Sequence, residues 1–454
     1  MRQTPETGTR TSDPAEHVTR RDRVLATLGV HPQVLTLAIA RMAEAVGNSF
    51  LIIVLPLFIA SDFVTGGTFG LSEVAITGVI LALFGIVNSP LQPLTGWLSD
   101  RFRRRKPFIL LGLGILAISG VAYTFATSYW HLVGIRVAQG VAGALIVPTS
   151  LALVNDLATD HNRGGNMGTF NALRLLGFGF GPIGAGIVVA LGPYSADIAG
   201  YSLVMTGFEA AFYFAALAAL GGFLLVLVYI DDPRASTSTD TATTRRDVSI
   251  FDPRGIHLFN PVFALGIVTF MMAIGIAMFA TLGDLINARL GQGAAMFGLQ
   301  FAAFVFAHIV LQAPIGRATD FLGRRVFIVT GALLLIPTTA IQGFVLDPWL
   351  MFAARFGQGV AGAMVFGPAL ALAGDLAPDD ASGSTLSVLT MAFGFGIAIG
   401  PLLSGFLVAF GFAIPFLVGA GLALISLMLV LTQVDDVVTP RVSLTSLVHP
   451  GSDG

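Results

Sequence analysis

The chain repeats one pattern of residues at an offset of about 220 positions. The stretch beginning at Leu91 reads LQPLTGWLSDRFRRRK and returns from Leu311 as LQAPIGRATDFLGRR. A second stretch, RVAQGVAGA from Arg136, returns from Arg355 as RFGQGVAGA. Recurrence of several motifs in the same order predicts a chain built from two related structural units.

Composition places both units in a membrane. Of the 454 residues, 55% are hydrophobic and 11% charged, and the mean hydropathy is +0.83. Apolar stretches near the ~20 residues that a helix needs to cross a bilayer recur along the chain. We therefore predict an all-α polytopic membrane protein with twelve transmembrane helices. They lie near 33–60, 73–99, 107–127, 130–154, 167–190, 205–230, 260–283, 294–319, 326–346, 349–373, 384–410 and 412–433.

One polar linker divides these segments into two sets of six. Residues 231–258 are rich in Asp, Thr, Ser and Arg and contain no apolar run, as expected of a connection outside the membrane. An even number of helices per set returns both copies of the repeat to the same face, so the two repeats are parallel. The predicted organisation is a tail 1–32, a bundle 33–230, the linker 231–258, a bundle 259–433 and a tail 434–454.

The distribution of positive charge predicts the orientation. If both termini are cytoplasmic, Arg289 alone of the 24 Lys and Arg residues falls in an external loop. Arg41, Arg136, Arg174 and Arg355 fall inside helices, and the other 19 face the cytoplasm. Because cytoplasmic loops carry the excess of Lys and Arg, we predict a multi-pass cell-membrane protein with both ends inside.

The loop after the second segment carries a recognisable motif. Gly96-x-x-x-Asp100-Arg101, followed by a basic run, resembles the major facilitator superfamily over roughly residues 33–433. Within that family the chain is most similar to the twelve-helix drug/proton antiporters. The resemblance implies alternating access between two six-helix bundles. Arg103 stands where the family usually has glycine, whereas the second copy keeps Gly323.

Charges at this loop predict a cytoplasmic gate. A carboxylate at the end of helix 2, a guanidinium beside it and a carboxylate at the end of helix 4 can form a charge-assisted network where the halves meet. The second repeat offers an equivalent set. The alternative is that the basic residues only anchor helix ends and set the topology. The predicted gate residues are Gly96, Asp100, Arg101, Arg104, Asp156, Asp320, Arg324 and Asp375.

The fourth segment carries an arginine within the membrane. Arg136 shares a helix face with Gln139, Gly140 and Gly143, and an intramembrane arginine is costly and needs a partner. This pattern resembles the family motif associated with proton coupling, in which the arginine influences a nearby carboxylate. The alternative is an arginine that reaches outward from a packing helix.

The fifth segment is rich in glycine. Small residues at this spacing allow close helix contact, and the proline permits a bend. The pattern resembles the family's motif for exporters that exchange protons for drugs, with Ala185 in place of one glycine. It is also compatible with a packing role alone. The residues are Gly177, Gly181, Pro182 and Gly186, echoed in the eleventh segment by Gly400 and Pro401.

The first segment places Glu44 near mid-membrane, about 16 Å along its helix. Desolvation there favours the neutral carboxyl form, so the charge of Glu44 can depend on which side has access. Arg41 lies three residues away on nearly the same face. We predict that Glu44, Arg41 and Arg136 couple proton movement to function; a static Arg41–Glu44 ion pair is the alternative.

Other polar residues at membrane depth are candidates for lining a cavity. The second and eighth segments align so that Phe84, Asn88 and Gln92 correspond to Phe304, His308 and Gln312. Each set places an aromatic ring and two hydrogen-bonding groups on one stripe. The alternative is that these groups form only interhelical hydrogen bonds. The predicted cavity residues are Asn48, Asn88, Gln92, Gln139, His308 and Gln312.

These observations favour a secondary active transporter, with proton-coupled export of small lipophilic compounds or drugs as the leading hypothesis. Uptake of a nutrient such as a sugar or organic acid, by symport or facilitation, is the alternative. A membrane enzyme or sensor is the weakest reading, because no P-loop, metal-ligand cluster or nucleophile constellation is present. We predict no catalytic residues, no cofactor, no metal and no nucleic-acid partner. The expected partners are a small-molecule substrate, protons and the lipid bilayer, and the chain is expected to be monomeric.

Overall fold

The computed structural model describes residues 31–61, 63–66, 70–158, 163–198, 201–231, 249–252, 255–376 and 382–435. The N-terminal half consists of six long helices. Each is long and apolar enough to cross a membrane. They are α1 (Pro32–Ile59), α2 (Glu73–Phe102), α3 (Lys106–Tyr123), α4 (Tyr129–Leu157), α5 (Arg163–Leu191) and α6 (Gly207–Tyr229).

The C-terminal half repeats this series and adds one short helix. The series is α7 (Pro261–Thr281), the short α8 (Gly283–Leu290), α9 (Ala294–Leu322), α10 (Arg324–Ala340), α11 (Pro348–Leu376), α12 (Ser382–Leu407) and α13 (Ile414–Gln433). All twelve predicted segments are confirmed as helices. The short α8 was not predicted, nor was an antiparallel hairpin of β1 (Tyr194–Ile198) and β2 (Tyr201–Met205) between α5 and α6.

The two halves pack by the same scheme. In the N-terminal half α1 packs on α5 and α6, α2 on α4, and α3 on α4 and α6. In the C-terminal half α7 packs on α12 and α13, α9 on α11, and α10 on α11 and α13. Because each pair has its counterpart, the sequence repeat is also a repeat in three dimensions.

The halves meet through α2 against α12 and α5 against α9. We call the face that carries the β1–β2 hairpin the hairpin face, and the opposite face, where α2 ends at Phe102, the Asp100 face. Toward the hairpin face these helices touch backbone to backbone. A Cβ built on Gly186 would lie 2.5 Å from Ala294 O, and one built on Gly405 would lie 2.7 Å from Val74 O. Glycine is therefore required for this approach of the halves.

Of these helices, α5 and α9 diverge toward the Asp100 face. A Cβ built on Gly168 of α5 or Gly316 of α9 would meet nothing within 4 Å among the described residues. Farther along α5, toward the hairpin face, Gly179 already lies against Val305 of α9. Among the described residues, α5 and α9 are therefore in contact toward the hairpin face and apart at the Asp100 face.

Candidate functional site

A buried ion pair lies at the middle of α1. Arg41 Nη1 is 2.8 Å from Glu44 Oε2, and the two side chains are only 6% and 8% exposed. Glu44 lies close to the midpoint of Pro32–Ile59, far from both faces. The Nε of Arg41 has no hydrogen-bond partner in the described part of the chain. The ion pair is thus buried and its hydrogen bonding is incomplete, and removing one partner of such a buried pair strongly destabilises a protein.

Arg174 of α5 extends this pair into a cluster of three charges. Its guanidinium donates two hydrogen bonds to Asn171 Oδ1, from Nε at 3.2 Å and from Nη2 at 2.9 Å. It also lies within electrostatic reach of both Arg41 and Glu44. Two guanidinium groups and one carboxylate therefore lie near one another, and the ion pair among them joins Arg41 to Glu44. We call Arg41, Glu44, Arg174 and Asn171 the charge cluster.

The charge cluster points away from lipid. On α5 the exposed apolar side chains Leu176, Phe180 and Ile187 lie along one side. At 100° per residue, Asn171 and Arg174 fall on the other side, between the helices that α5 contacts, α1 and α9. The cluster therefore borders the interior between the two halves.

Arg136 of α4 is fully enclosed within its own half. Gln139 Oε1 accepts hydrogen bonds from Arg136 Nη1 at 3.1 Å and from the Tyr123 hydroxyl at 3.0 Å. The guanidinium also lies 5.9 Å from the centre of the Phe84 ring. No carboxylate in the described chain forms an ion pair with Arg136. Its nearest polar partners are therefore neutral, unlike the carboxylate that the motif led us to expect.

Arg355 occupies the equivalent place in the C-terminal half. Its Nη1 donates to Gln358 Oε1 at 2.5 Å, and Gln342, at the position equivalent to Tyr123, donates to the same oxygen at 3.1 Å. Three phenyl rings surround the guanidinium, with Phe279 closest at 4.1 Å. These rings supply cation–π attraction to a charge that has no carboxylate among the described residues.

The predicted cavity residues lie on α1, α2, α4 and α9. Asn88 and Gln92 are joined by a hydrogen bond of 3.3 Å, and Asn88 lies against Gly143. His308 stacks on Phe304 and lies against Gly362, the equivalent glycine. Asn48, Gln92, His308 and Gln312 are half-buried, whereas Gln139 is buried in the Arg136 site. These residues therefore also serve helix packing, and the hydrogen bonds among the described groups stay within one half.

At the Asp100 face one arginine holds the two carboxylates of the N-terminal half together. Arg105 Nη1 lies 2.5 Å from Asp100 Oδ1, and its Nε lies 3.2 Å from Asp156 Oδ2. Burial lowers the pKa of Arg105, but the hydrogen bonds and charges of the two aspartates outweigh burial and raise the pKa above its usual value. Arg101 instead lies over the Trp97 ring, and Arg104 is exposed. The sequence analysis placed Arg101 and Arg104 in the gate and missed Arg105.

The C-terminal half has a matching pair. Arg324 Nη1 lies 2.5 Å from Asp375 Oδ2. Arg105 and Asp156 are each 219 positions before Arg324 and Asp375, so the two ion pairs are equivalent. The Asp320 side chain lies outside the described residues. Arg103, which ends α2 with φ +52°, matches Gly323 at φ +90°. The ion pairs that the described residues form at this face each stay within one half.

Replacing Arg105 by glutamine should destabilise the N-terminal half by about 1–3 kcal/mol, because two aspartates lose their shared donor. Thermal unfolding of the purified chain in detergent measures this loss. Arg103→Gln is the matched control, since it removes the same charge from an exposed side chain with no ion pair in the described chain. Equal unfolding temperatures for the two variants would contradict the assignment of Arg105 as the bridging residue.

The glycine-proline motif of α5 contacts both halves. Gly177 and Gly181 pack against α1, where a Cβ on Gly181 would meet Ser49 and Val46. Pro182 and Gly186 instead lie against Gly298 and Ala294 of α9. In the C-terminal half Gly400 packs on α7, while Pro401 lies against Gly78 of α2. The motif therefore positions the charge cluster and also joins the halves at the hairpin face.

The fold and its interior charges define a multi-pass membrane transporter made of two related six-helix halves. The chain belongs to the Major Facilitator Superfamily, whose family model matches residues 37–286 and 264–447. Within the described residues no group of three or more His, Cys, Asp or Glu side chains is placed to hold a metal ion.

Several known proteins are similar in sequence to part of this chain. A triacylglyceride transporter of Mycobacteroides abscessus is 29% identical over 57% of this chain and 56% of its own length. The maltose permease of Geobacillus stearothermophilus is 31% identical over 71% of this chain and 76% of its own. The class B tetracycline resistance protein of Escherichia coli is 26% identical over 61% of this chain and 65% of its own length. The chain thus matches between about half and three quarters of the length of these relatives, whose names differ in substrate.

Among solved structures, that of the nucleoside transporter NupG superposes with a TM-score of 0.70. The superposition covers 89% of this chain and all of that chain, at 14% sequence identity. This likeness confirms the fold.

Proposed function

We propose that this chain is a proton-coupled secondary transporter of small organic compounds, and that Glu44 is the group whose protonation drives coupling. The observation that carries the proposal is the charge cluster. A carboxylate at mid-membrane is paired with Arg41, lies within electrostatic reach of Arg174, and borders the interior between the halves. Its protonation changes the charge of that interior by one unit, which is what an ion-coupled carrier requires.

Alternating access is the mechanism that fits this arrangement. The halves touch through glycines at the hairpin face and diverge at the Asp100 face, so rocking one half against the other would exchange the open side. We assign the Asp100 face to the cytoplasm because the basic run at Arg103–Lys106 lies there. Both termini are then cytoplasmic, and the state described here opens inward.

The gate would act at this face when the halves close. Asp100 and Asp156 are already held by Arg105, and Asp375 is held by Arg324. Closure would bring these two ion pairs toward each other and let them join across the halves. We keep Gly96, Arg101 and Arg104 in this proposal as the rest of the motif.

Export of lipophilic compounds or drugs is the first candidate direction. The Gly177–Gly186 pattern on α5 resembles that of drug/proton antiporters, and one relative is named for tetracycline resistance. Removing a drug from the cell is one way to resist it. A monomer is sufficient for this proposal, because the charge cluster and both ion pairs of the gate are formed by one chain.

Uptake is the second candidate, favoured by the polarity of the interior. Arg174 and Asn171 border the space between the halves and could hold a polar substrate. One relative is named a maltose permease. An uptake symporter would use the same Glu44 but bind proton and substrate together.

Everted membrane vesicles with a trapped pH dye test the proposal and separate the two directions. After an acid-inside gradient forms, an exported compound added outside should collapse it in vesicles that contain the chain and not in vesicles without it. In right-side-out proteoliposomes, an imported compound added outside should instead make the medium alkaline. Proton movement in neither system, with a panel of drugs, sugars and organic acids, would contradict proton coupling.

A further inference from the structure

The membrane interior of this protein carries more positive than negative charge. In the described helices, five charged residues lie at least seven positions from either end of a long helix. Four are arginines and one is a carboxylate: Arg41, Arg136, Arg174, Arg355 and Glu44. Positive potential in a low-dielectric cleft attracts anions and repels cations. An interior with this balance of charge favours anions over cations.

Only one of these arginines is available to a ligand. Arg136 and Arg355 are buried inside their own halves, at 3% and 0% exposure, and their glutamine partners enclose them. Arg41 is held by Glu44. Arg174 is half-buried and faces the interior, and among the described residues its hydrogen-bond partner is the neutral Asn171. Its charge is not cancelled by a carboxylate of its own.

The C-terminal half carries an apolar surface made of aromatic rings. Phe304, His308, Phe366 and Phe393 form a continuous row of half-buried rings with centroid distances of 5.8, 6.2 and 4.6 Å. These rings come from α9, α11 and α12, and α9 and α12 are the helices that meet the N-terminal half. Aromatic rows of this kind bind flat apolar groups. The N-terminal half thus supplies the Arg174 cation, and the C-terminal half supplies the aromatic row.

We propose that the transported substrate is a small amphipathic organic anion, whose carboxylate or sulfonate binds Arg174 and whose apolar body lies against the aromatic row. This inference rests on the proposed function, since it assigns the substrate class of the same site. Asn171 orients the guanidinium, and a bidentate contact with an oxyanion is the geometry that arginine favours.

Glu44 links this anion to the proton. The charged groups around Glu44 in the described chain are Arg41 on its own helix and Arg174 on α5. The α6 helix, packed on another side of α1, presents Ala215 and contacts at Gly222 there. When Glu44 gains a proton, Arg41 loses its counter-charge, and an anion near Arg174 restores it. Proton and anion therefore bind together and move in the same direction, which favours the uptake candidate over exchange.

Binding of three matched probes to the full purified chain tests the substrate class. The probes are 1-naphthalenesulfonate, neutral 1-naphthalenesulfonamide and the cation 1-naphthylmethylammonium, measured by isothermal titration calorimetry. The sulfonate should bind about tenfold or more tightly than either of the others, and Arg174→Gln should remove that preference. Arg289→Gln, which changes an exposed arginine over the Phe412 ring, should leave it unchanged.

Proton linkage gives a second readout. Titrations in buffers of different ionisation enthalpy should show proton uptake with the sulfonate in the wild type and none in Glu44→Gln. The anion assignment would be overturned if 1-naphthylmethylammonium bound as tightly as the sulfonate or more tightly. It would also be overturned if Arg174→Gln kept the wild-type preference for the sulfonate. Such a result leaves the proposed function standing if the vesicle assay still shows proton movement with another compound. Loss of proton movement with every compound instead contradicts the proposed function itself.

Discussion

Replacing Glu44 by glutamine should abolish proton movement with substrate while leaving substrate exchange across the membrane in place. Glutamine matches the carboxyl group in shape but does not take up or release a proton in the physiological range, so the site keeps one charge state on both sides. A carrier fixed in one state can still exchange substrate for substrate. It can no longer accumulate substrate at the expense of a proton gradient.

Two assays on the same proteoliposomes separate these outcomes. Counterflow of labelled substrate should stay within a few-fold of the wild type, and proton-driven accumulation should fall to the level of protein-free liposomes. Because Arg41 loses its counter-charge in this variant, some loss of stability is also expected. The double variant Arg41→Gln, Glu44→Gln should recover stability and still lack coupling. Glu73→Gln, an exposed carboxylate at the start of α2, is the control.

Retention of proton-driven accumulation in Glu44→Gln would contradict the role of Glu44 in coupling. In that case the Arg41–Glu44 pair would be a static structural contact, which was the alternative in the sequence analysis.

Replacing Gly298 by valine should reduce transport by about 10–100-fold, because the two halves could no longer meet at the hairpin face. A side chain at Gly298 would collide with the carbonyl oxygen of Pro182, which belongs to the backbone of α5 and not to a flexible side chain that could turn aside. The variant should therefore disfavour the state described here.

Gly421→Val is the matched control for this prediction. Gly421 lies in α13 of the same half, and a Cβ there meets nothing within 4 Å in the described chain. Both variants replace glycine by valine in a helix, so both change helix propensity in the same direction. Initial rates of substrate uptake at matched protein levels report the difference. Equal rates for the two variants would show that close contact at Gly298 is not needed for the transport cycle.

Much of the fold could be predicted from the sequence because a membrane leaves few options. Only helices or closed barrels satisfy the backbone in lipid, so apolar stretches of the right length give helix number directly. The twelve segments follow from these stretches, and the repeat follows from the recurrence of motifs at an offset of about 220. The β1–β2 hairpin and α8 were missed because they are short and lie outside the long apolar runs on which the prediction depended.

At the gate, a residue-by-residue comparison of the two repeats predicts more than the motif does. The repeat offset is 220 at Asp100 and Asp320 but 219 at Arg136 and Arg355. The first copy therefore has one extra residue between these points, and this residue shifts the equivalent of Arg324 from Arg104 to Arg105. Reading the change in offset would have identified Arg105, which holds Asp100 and Asp156 in the structure.

The charge cluster could be predicted only in part. Arg41 and Glu44 are three residues apart on one helix, so their pairing follows from helical geometry alone. The approach of Arg174 depends instead on how α5 packs against α1, through Gly177 and Gly181. That is a tertiary contact between helices more than 100 positions apart, and spacing within one helix carries no information about it.

Spin-label distances give the most direct test of the central claim, which is that protonation of Glu44 is coupled to rocking of the two halves. The chain contains no cysteine, so introduced pairs are labelled without background. Phe102 and Leu322 report on the Asp100 face, and Thr127 and Asp347 report on the hairpin face. Double electron–electron resonance in proteoliposomes gives both distances as the pH is lowered.

We expect acidification to change the two distances in opposite directions, one face opening as the other closes, and Glu44→Gln to remove this response to pH. If both distances lengthen or shorten together, the halves do not alternate. If Glu44→Gln responds to pH as the wild type does, another group couples the proton to the motion, and the role proposed for Glu44 is wrong.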